Sequence, residues 1–183
     1  MKLHDTTLAD ARLIDLEKRG DDRGWFARTM DARIFAEHGM DHQFVQQNAS
    51  VSAQAGTLRG LHFQREPHAE AKLVRCLRGR IVDVIVDLRQ GSPSYLRHEA
   101  FELSAENSRM LYVPRGFAHG FQTLTDDVEV SYLVSAYYAP DHESGLRYDD
   151  PRLGIDWPRP VTVISPKDAS WPYITEERPD LLR

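Results

Sequence analysis

The chain has 183 residues, enough for one compact domain with a sizeable core and too few for two ordinary ones. Hydrophobic residues make up 41% and charged residues 28%, which excludes an intrinsically disordered chain. A formal net charge of -5 argues against a nucleic-acid binder, yet leaves room for an anionic small ligand held by a few converging arginines.

In chain order, the polar stretch Met1 to Asp10 has no apolar run of the kind a signal peptide needs. No segment approaches the ~20 apolar residues that span a bilayer, so no membrane partner is expected. The first element is a short helix, Ala32 to His38, with Asp31 as N-cap and Gly39 closing it. Most of the remaining chain reads as strands: Leu73 to Leu77, Ile81 to Leu88, Ala100 to Leu103, Met110 to Val113, Val128 to Val134 and Val161 to Ile164. Arg78-Gly79 between the first two reads as a tight hairpin turn. Gly91-Ser92-Pro93, Pro114-Arg115-Gly116 and Thr125-Asp126-Asp127 are further turns. Three prolines in the last ~20 residues predict an irregular tail wrapping the surface.

Short strands at spacings near ten residues, without helices between them, predict an all-β sandwich or barrel with a few short helices, one domain over residues 1–183. An open sandwich must protect its edges, and pairing with a second copy makes a homodimer the expected state. The single cysteine, Cys76, rules out an intrachain disulfide and suits the cytoplasm.

Three segments place costly polar residues in semi-apolar, strand-like surroundings. In Gly56-Thr57-Leu58-Arg59-Gly60-Leu61-His62-Phe63-Gln64, strict alternation puts His62 and Gln64 on one face and Arg59 on the other. Ala71-Lys72-Leu73-Val74 carries a lysine into an apolar strand, and Pro114 to Phe121 sets His119 between glycines and aromatics. Singly, each has an ordinary explanation, a hydrogen-bonded structural histidine or a snorkelling lysine. Together, on strands of a sandwich whose interior can hold a ligand, they mark a candidate site. A metal site is the rival. His62-Phe63-Gln64 puts glutamine where a metal-binding sandwich offers its second histidine, and glutamine is a poor ligand for zinc or iron. No metal or other cofactor is therefore expected.

The chain resembles the dTDP-4-dehydrorhamnose 3,5-epimerase family over nearly its whole length. The resemblance rests on Asp22-Arg23-Gly24-Trp25-Phe26, Phe44 to Ser50, Leu58 to Gln64, Ala71 to Arg75, Asp83 to Arg89, Leu103 to Asn107 and Pro114 to Phe121. Tyr137-Tyr138, Asp149-Asp150-Pro151, Ile155 to Pro158 and Ser165 to Asp168 continue it. It implies a jelly-roll cupin fold, a homodimer with exchanged N-terminal strands, and inversion of the carbons flanking the C4 ketone of a dTDP-4-keto-6-deoxyhexose, on the route to L-rhamnose. It implies His62 as general base, Asp168 as its carboxylate partner, Tyr132 as the acid on the opposite sugar face and Lys72 at the ketone oxygen. Arg59, His119, Gln46, Asn48, Glu143 and Lys167 would line the sugar and diphosphate of the nucleotide-diphosphate-sugar substrate. Tyr138 would stack on the base, and Arg23 would come from the neighbouring subunit.

The chemistry suits these residue types. A histidine accepts a proton near neutral pH, a carboxylate on its other nitrogen fixes the tautomer, and a cation meets the oxygen where enolate charge develops. One departure stands out: Arg28 occupies a position where many members carry a glutamate contacting the neighbouring subunit's nucleotide. A reversed charge at a ligand contact bears on specificity. The alternatives are an epimerase that inverts one carbon or serves another nucleotide-linked 4-keto sugar, a metal-dependent cupin, and a non-catalytic sugar-nucleotide binder.

Overall fold

The computed structural model describes residues 1–175, 181 and 182. Four short strands open the chain: β1 (Lys2–Asp5), β2 (Arg12–Asp15), β3 (Arg19–Asp21) and β4 (Gly24–Phe26). After helix α1 (Ala32–Glu37) come β5 (Gln46–Ser52), β6 (Thr57–Gln64), β7 (Lys72–Arg78), β8 (Arg80–Asp87), β9 (His98–Ser104), β10 (Met110–Val113), β11 (Phe117–Thr123) and β12 (Val128–Val134). A single 3₁₀ turn at Pro140–His142 leads into β13 (Glu143–Gly145), then β14 (Val163–Ile164) and the one-turn helix α2 (Pro166–Ala169).

Two sheets face each other. One runs β1-β2-β10-β7-β12-β5 and the other β13-β6-β11-β8-β9, all antiparallel, with β14 added parallel to β6. Alternation along the strands builds the interior from both sheets. Val74 and Cys76 of β7 and Val128 and Val130 of β12 meet Ile81 and Ile85 of β8 and Phe117 and Phe121 of β11. Each outer face is covered as well. Leu61, Phe63, Val84 and Val86 pack under Leu146, Leu153, Ile174 and Leu181 from the C-terminal region. Leu73, Met110 and Tyr112 pack under Phe35 of α1 and Met40. Covering on both faces is why β8 reads as a Val/Ile-rich run, interrupted by Asp83.

The helix forms where its cap predicts, the Asp31 carboxylate accepting from the Arg33 and Ile34 N–H groups. The Arg78-Gly79 turn is a correction. β7 and β8 lie in opposite sheets, so Gly79 is a crossover and no hairpin forms. It sits at φ +76°, and a Cβ there would come within 2.6 Å of Thr125 Oγ1 and 2.8 Å of Val128 Cγ2. The predicted strand from Val161 shortens to Val163–Ile164. The tail is not merely a surface wrap, because Ile174 is buried and α2 interrupts it; its residues 176–180 and 183 lie outside those described. β1 pairs with β2 and β2 with the chain's own β10, while β3 and β4 form a separate two-stranded hairpin. Among the described residues no helix is long and apolar enough to cross a membrane.

Phe35 is fully buried and meets the rings of Phe44 and Tyr112 edge-on, each at 6.2 Å between centroids. Phe35→Ala is expected to lower the unfolding free energy by about 3–5 kcal/mol, read from urea denaturation. A loss under about 1 kcal/mol would mean that α1 is not part of the cooperative core.

Candidate active site

The site begins with a register shift. His119 of β11 faces His62 of β6, but Phe121 faces Arg59, so three steps along β6 match two along β11. This bulge overturns the strict alternation expected of the segment: Arg59 and His62 line the same cleft. Glycines permit it. A Cβ on Gly60, at φ +132°, would lie 2.5 Å from the Gly120 Cα, and one on Gly120 would lie 2.8 Å from the Arg59 carbonyl oxygen.

The cleft between the sheets measures about 450 Å³, with an adjoining lobe of about 360 Å³ that shares His62, Lys72, Tyr132 and Glu143 with it. His62, Arg59 and His119 enter from the β6–β11 side, and Lys72 and Tyr132 from β7 and β12 opposite. His62 Nε2 lies 2.7 Å from Asp168 Oδ1. Asp168 belongs to α2, which Ser165 caps by accepting the Asp168 N–H at 3.0 Å. The other carboxylate oxygen accepts from Gly60 N–H at 3.2 Å, tying α2 to the bulge itself. Burial pushes the Asp168 carboxyl up, but hydrogen bonds and charge from His62 and the Gly60 N–H outweigh it and hold the group below its ordinary range.

The other polar groups come in pairs. Lys72 Nζ is 3.3 Å from Glu70 Oε1, both largely buried. His119 Nε2 is 3.0 Å from Asp83 Oδ2, which is fully buried on β8. Glu143 accepts from Lys167 Nζ and from the Tyr138 hydroxyl, each at 2.6 Å. Burial raises the Glu143 carboxyl, and those two bonds bring it below normal overall. The Tyr132 hydroxyl makes no hydrogen bond among the described residues. Burial first, and the Glu70 charge next, raise its pKa and keep it a phenol. Arg59 donates to the Ser52 hydroxyl at 3.1 Å and the Val51 carbonyl at 3.0 Å, both neutral.

Of the residues singled out in the sequence, His62, Lys72, Tyr132, Asp168, Arg59, His119, Glu143 and Lys167 meet in the main cleft, and Gln46, Asn48 and Tyr138 line the adjoining lobe. Arg23 and Arg28 are elsewhere. Arg23 makes a forked pair with Asp21 in the β3–β4 hairpin, and Arg28 bonds Asp31 at 2.9 Å beside α1. Glu70 and Asp83 were missed as site residues. Asp83 carried the right signal, a carboxylate inside a Val/Ile strand. Gln64 is fully engaged, donating to the His68 and Tyr137 carbonyls and to Glu70 while accepting from the Ala139 N–H. Among the described residues no three His, Cys, Asp or Glu side chains gather closely enough to hold a metal ion.

A two-sheet cupin sandwich, with a histidine–carboxylate pair on one wall of its cleft and a lysine and a neutral tyrosine on the other, defines a class of acid–base enzymes. Comparison with known proteins narrows the class. The family model described as dTDP-4-dehydrorhamnose 3,5-epimerase matches residues 5–176. Proteins of that name from Sinorhizobium fredii and Methanothermobacter thermautotrophicus are 49% identical over 177 residues and 45% over 174. The first alignment covers 96% of this chain and 91% of its relative, the second 93% of each. A Bacillus anthracis dTDP-4-dehydrorhamnose 3,5-epimerase with TDP and PPi bound superposes with a TM-score of 0.91 at 45% identity, covering 94% of this chain and 99% of that one. A Legionella pneumophila 3,5-epimerase in complex with dTDP-4-keto-L-rhamnose gives 0.87 at 40%, covering 93% and 90%. A 3′-monoepimerase from Streptomyces bikiniensis in complex with dTDP-quinovose gives 0.85 at 34%, covering 93% and 86%. The chain belongs to the dTDP-4-dehydrorhamnose 3,5-epimerase family, and it is an enzyme of the isomerase class.

Because the Asp168 pKa is lowered by folding, its ionised form stabilises the native state above the ordinary aspartate range and ceases to do so as pH falls through the lowered value. The stability difference between wild type and Asp168→Asn is therefore expected to be full at neutral pH and to vanish well below pH ~4. Urea unfolding of both proteins across that range measures it, and a difference independent of pH would remove the charge from the dyad.

Proposed function

We propose that this protein inverts C3 and C5 of a dTDP-4-keto-6-deoxyhexose, in the dTDP-L-rhamnose pathway. The observation that carries this reading is the His62–Asp168 pair at 2.7 Å, facing Lys72 and Tyr132 across one cleft. With Nε2 donating to the carboxylate, Nδ1 of His62 is the base that takes the proton from a carbon beside the ketone. Asp168 holds the tautomer and stabilises the imidazolium that forms. The Lys72 ammonium meets the ketone oxygen as it becomes an enolate, an interaction worth on the order of 3 kcal/mol in a water-excluded site. Tyr132, kept protonated by its burial, returns a proton from the opposite face, and the configuration inverts.

Binding follows from the same walls. Arg59, whose guanidinium has no carboxylate partner among the described residues, suits the diphosphate, together with Lys167 and His119. Gln46, Asn48 and Glu143 suit the sugar, and the exposed Tyr138 ring suits the base. We read the active unit as a homodimer in which Arg23 reaches the neighbour's cleft. The β3–β4 hairpin that carries it exposes Trp25 and Phe26, at 49% and 67%, and β5 leaves a sheet edge open beside the cleft. The buried lone thiol of Cys76, pushed up to about 11 by burial, suits a cytoplasmic enzyme. A single-carbon epimerase is the second reading, favoured by the likeness to a monoepimerase and by Arg28.

Proton NMR of dTDP-4-keto-6-deoxyglucose with the enzyme in heavy water decides between them. Loss of signal at C3 and C5 with deuterium in the product is expected, while exchange at one carbon only gives the second reading. His62→Ala is expected to remove turnover, losing at least the about 10²–10⁴-fold supplied by a general base, and activity near wild type would falsify its role. Tyr132→Phe should slow inversion more than C–H exchange, and equal slowing would take the acid role from it. Mixing inactive His62→Ala subunits with Arg23→Ala subunits should restore activity through hybrid dimers, whereas no recovery would argue that Arg23 does not act across an interface.

A further inference from the structure

Asp168 reaches His62 from a helix of one turn, too short to hold its position by its own hydrogen bonds. The Gly60 N–H bond fixes one carboxylate oxygen but not the helix body. A second contact does that. One residue past the C-cap Ser170, the indole of Trp171 lies flat on Gly145: a Cβ there would collide with Cε2 and Nε1 and come within 2.7 Å of Cδ2. Gly145 is the residue of β13 directly opposite His62 in the ladder with β6. The Trp171 Nε1 is buried without a hydrogen-bond partner among the described residues, so the residue contributes packing surface. The ring also stands 5.6 Å from Lys167 Nζ. It does not line the cleft. One aromatic slab thus joins the strand paired with the base to the helix that carries its carboxylate.

We infer that Trp171 is a positioning residue for the epimerisation, its stack on Gly145 setting the separation between Asp168 and His62. The inference rests on the epimerase reading above. A 2.7 Å bond leaves little slack. A shift of α2 by about 1 Å would break it, and misplacement on that scale costs on the order of 10²-fold in rate.

Two substitutions attack the contact from opposite sides. Trp171→Ala removes the slab, and Gly145→Ala drives a methyl group into it, while Trp171→Phe keeps a flat ring. Steady-state kinetics on the folded variants, alone and combined with Asp168→Asn, form a double-mutant cycle. Trp171→Ala and Gly145→Ala are each expected to lower kcat by about 10²-fold with a much smaller change in KM, and Trp171→Phe to recover most of the loss. Added to Asp168→Asn, either should lower kcat by less than about twofold more, because the group it positions is gone. The same fold-loss with and without Asp168 would show independent sites and overturn the role. If Trp171→Ala does not fold, Gly145→Ala closes the same cycle. If Asp168→Asn alone turns over like wild type, the dyad reading itself fails, and that failure is visible in the single variant.

Discussion

Two backbones that touch decide the geometry of this protein. Where β6 and β11 cross at Gly60 and Gly120, no side chain fits between them, and the ladder takes an extra residue on β6. That residue turns Arg59 toward the cleft already faced by His62. Without it the Arg59 guanidinium and the His62 imidazole, three positions apart, would lie on opposite faces of the sheet. The same bulge presents the Gly60 N–H to Asp168, so one local irregularity places an imidazole, a guanidinium and the anchor for the carboxylate that pairs with the imidazole.

Charge in the cleft is arranged by pairing. Lys72, His119, Lys167 and His62 each have a carboxylate behind them, from Glu70, Asp83, Glu143 and Asp168. Burying ionisable groups is costly unless partners are supplied, so these pairs let the sandwich close around a polar interior before any ligand arrives. They also reconcile an acidic chain with an anionic substrate, since local geometry and not net charge decides what the cleft attracts. Arg59 differs, bonding only neutral oxygens among the described residues, and keeps its charge available.

The sandwich was legible because its strands are apolar on one or both faces, as in Ile81 to Leu88, and α1 because Asp31 and Gly39 mark its ends. The polar strand β5 showed no apolar period, since it lies at a sheet edge and lines the cleft lobe. Gly79 misled for a physical reason: a glycine at positive φ serves a hairpin and a sheet-to-sheet crossover equally well, and only long-range pairing separates them. Most of the polar side chains that line or back the cleft were readable through the family motifs, Glu70 and Asp83 excepted. Their arrangement was not, because the pairing of His62 with Asp168 and of His119 with Asp83 depends on contacts 106 and 36 residues apart.

That first separation has a consequence for biosynthesis. Chain synthesis runs from the N-terminus, and among the described residues every strand of both main sheets precedes Asp168. A nascent chain can bury its two-sheet interior while its carboxylate is still unmade. Burial of the inter-sheet core and pairing of His62 with Asp168 are therefore acquired at different moments. A chain that ends shortly before Asp168 keeps the residues of the inter-sheet core but lacks the carboxylate facing His62, and with it Ile174 and Leu181, which cover the outer face of β6 and β8.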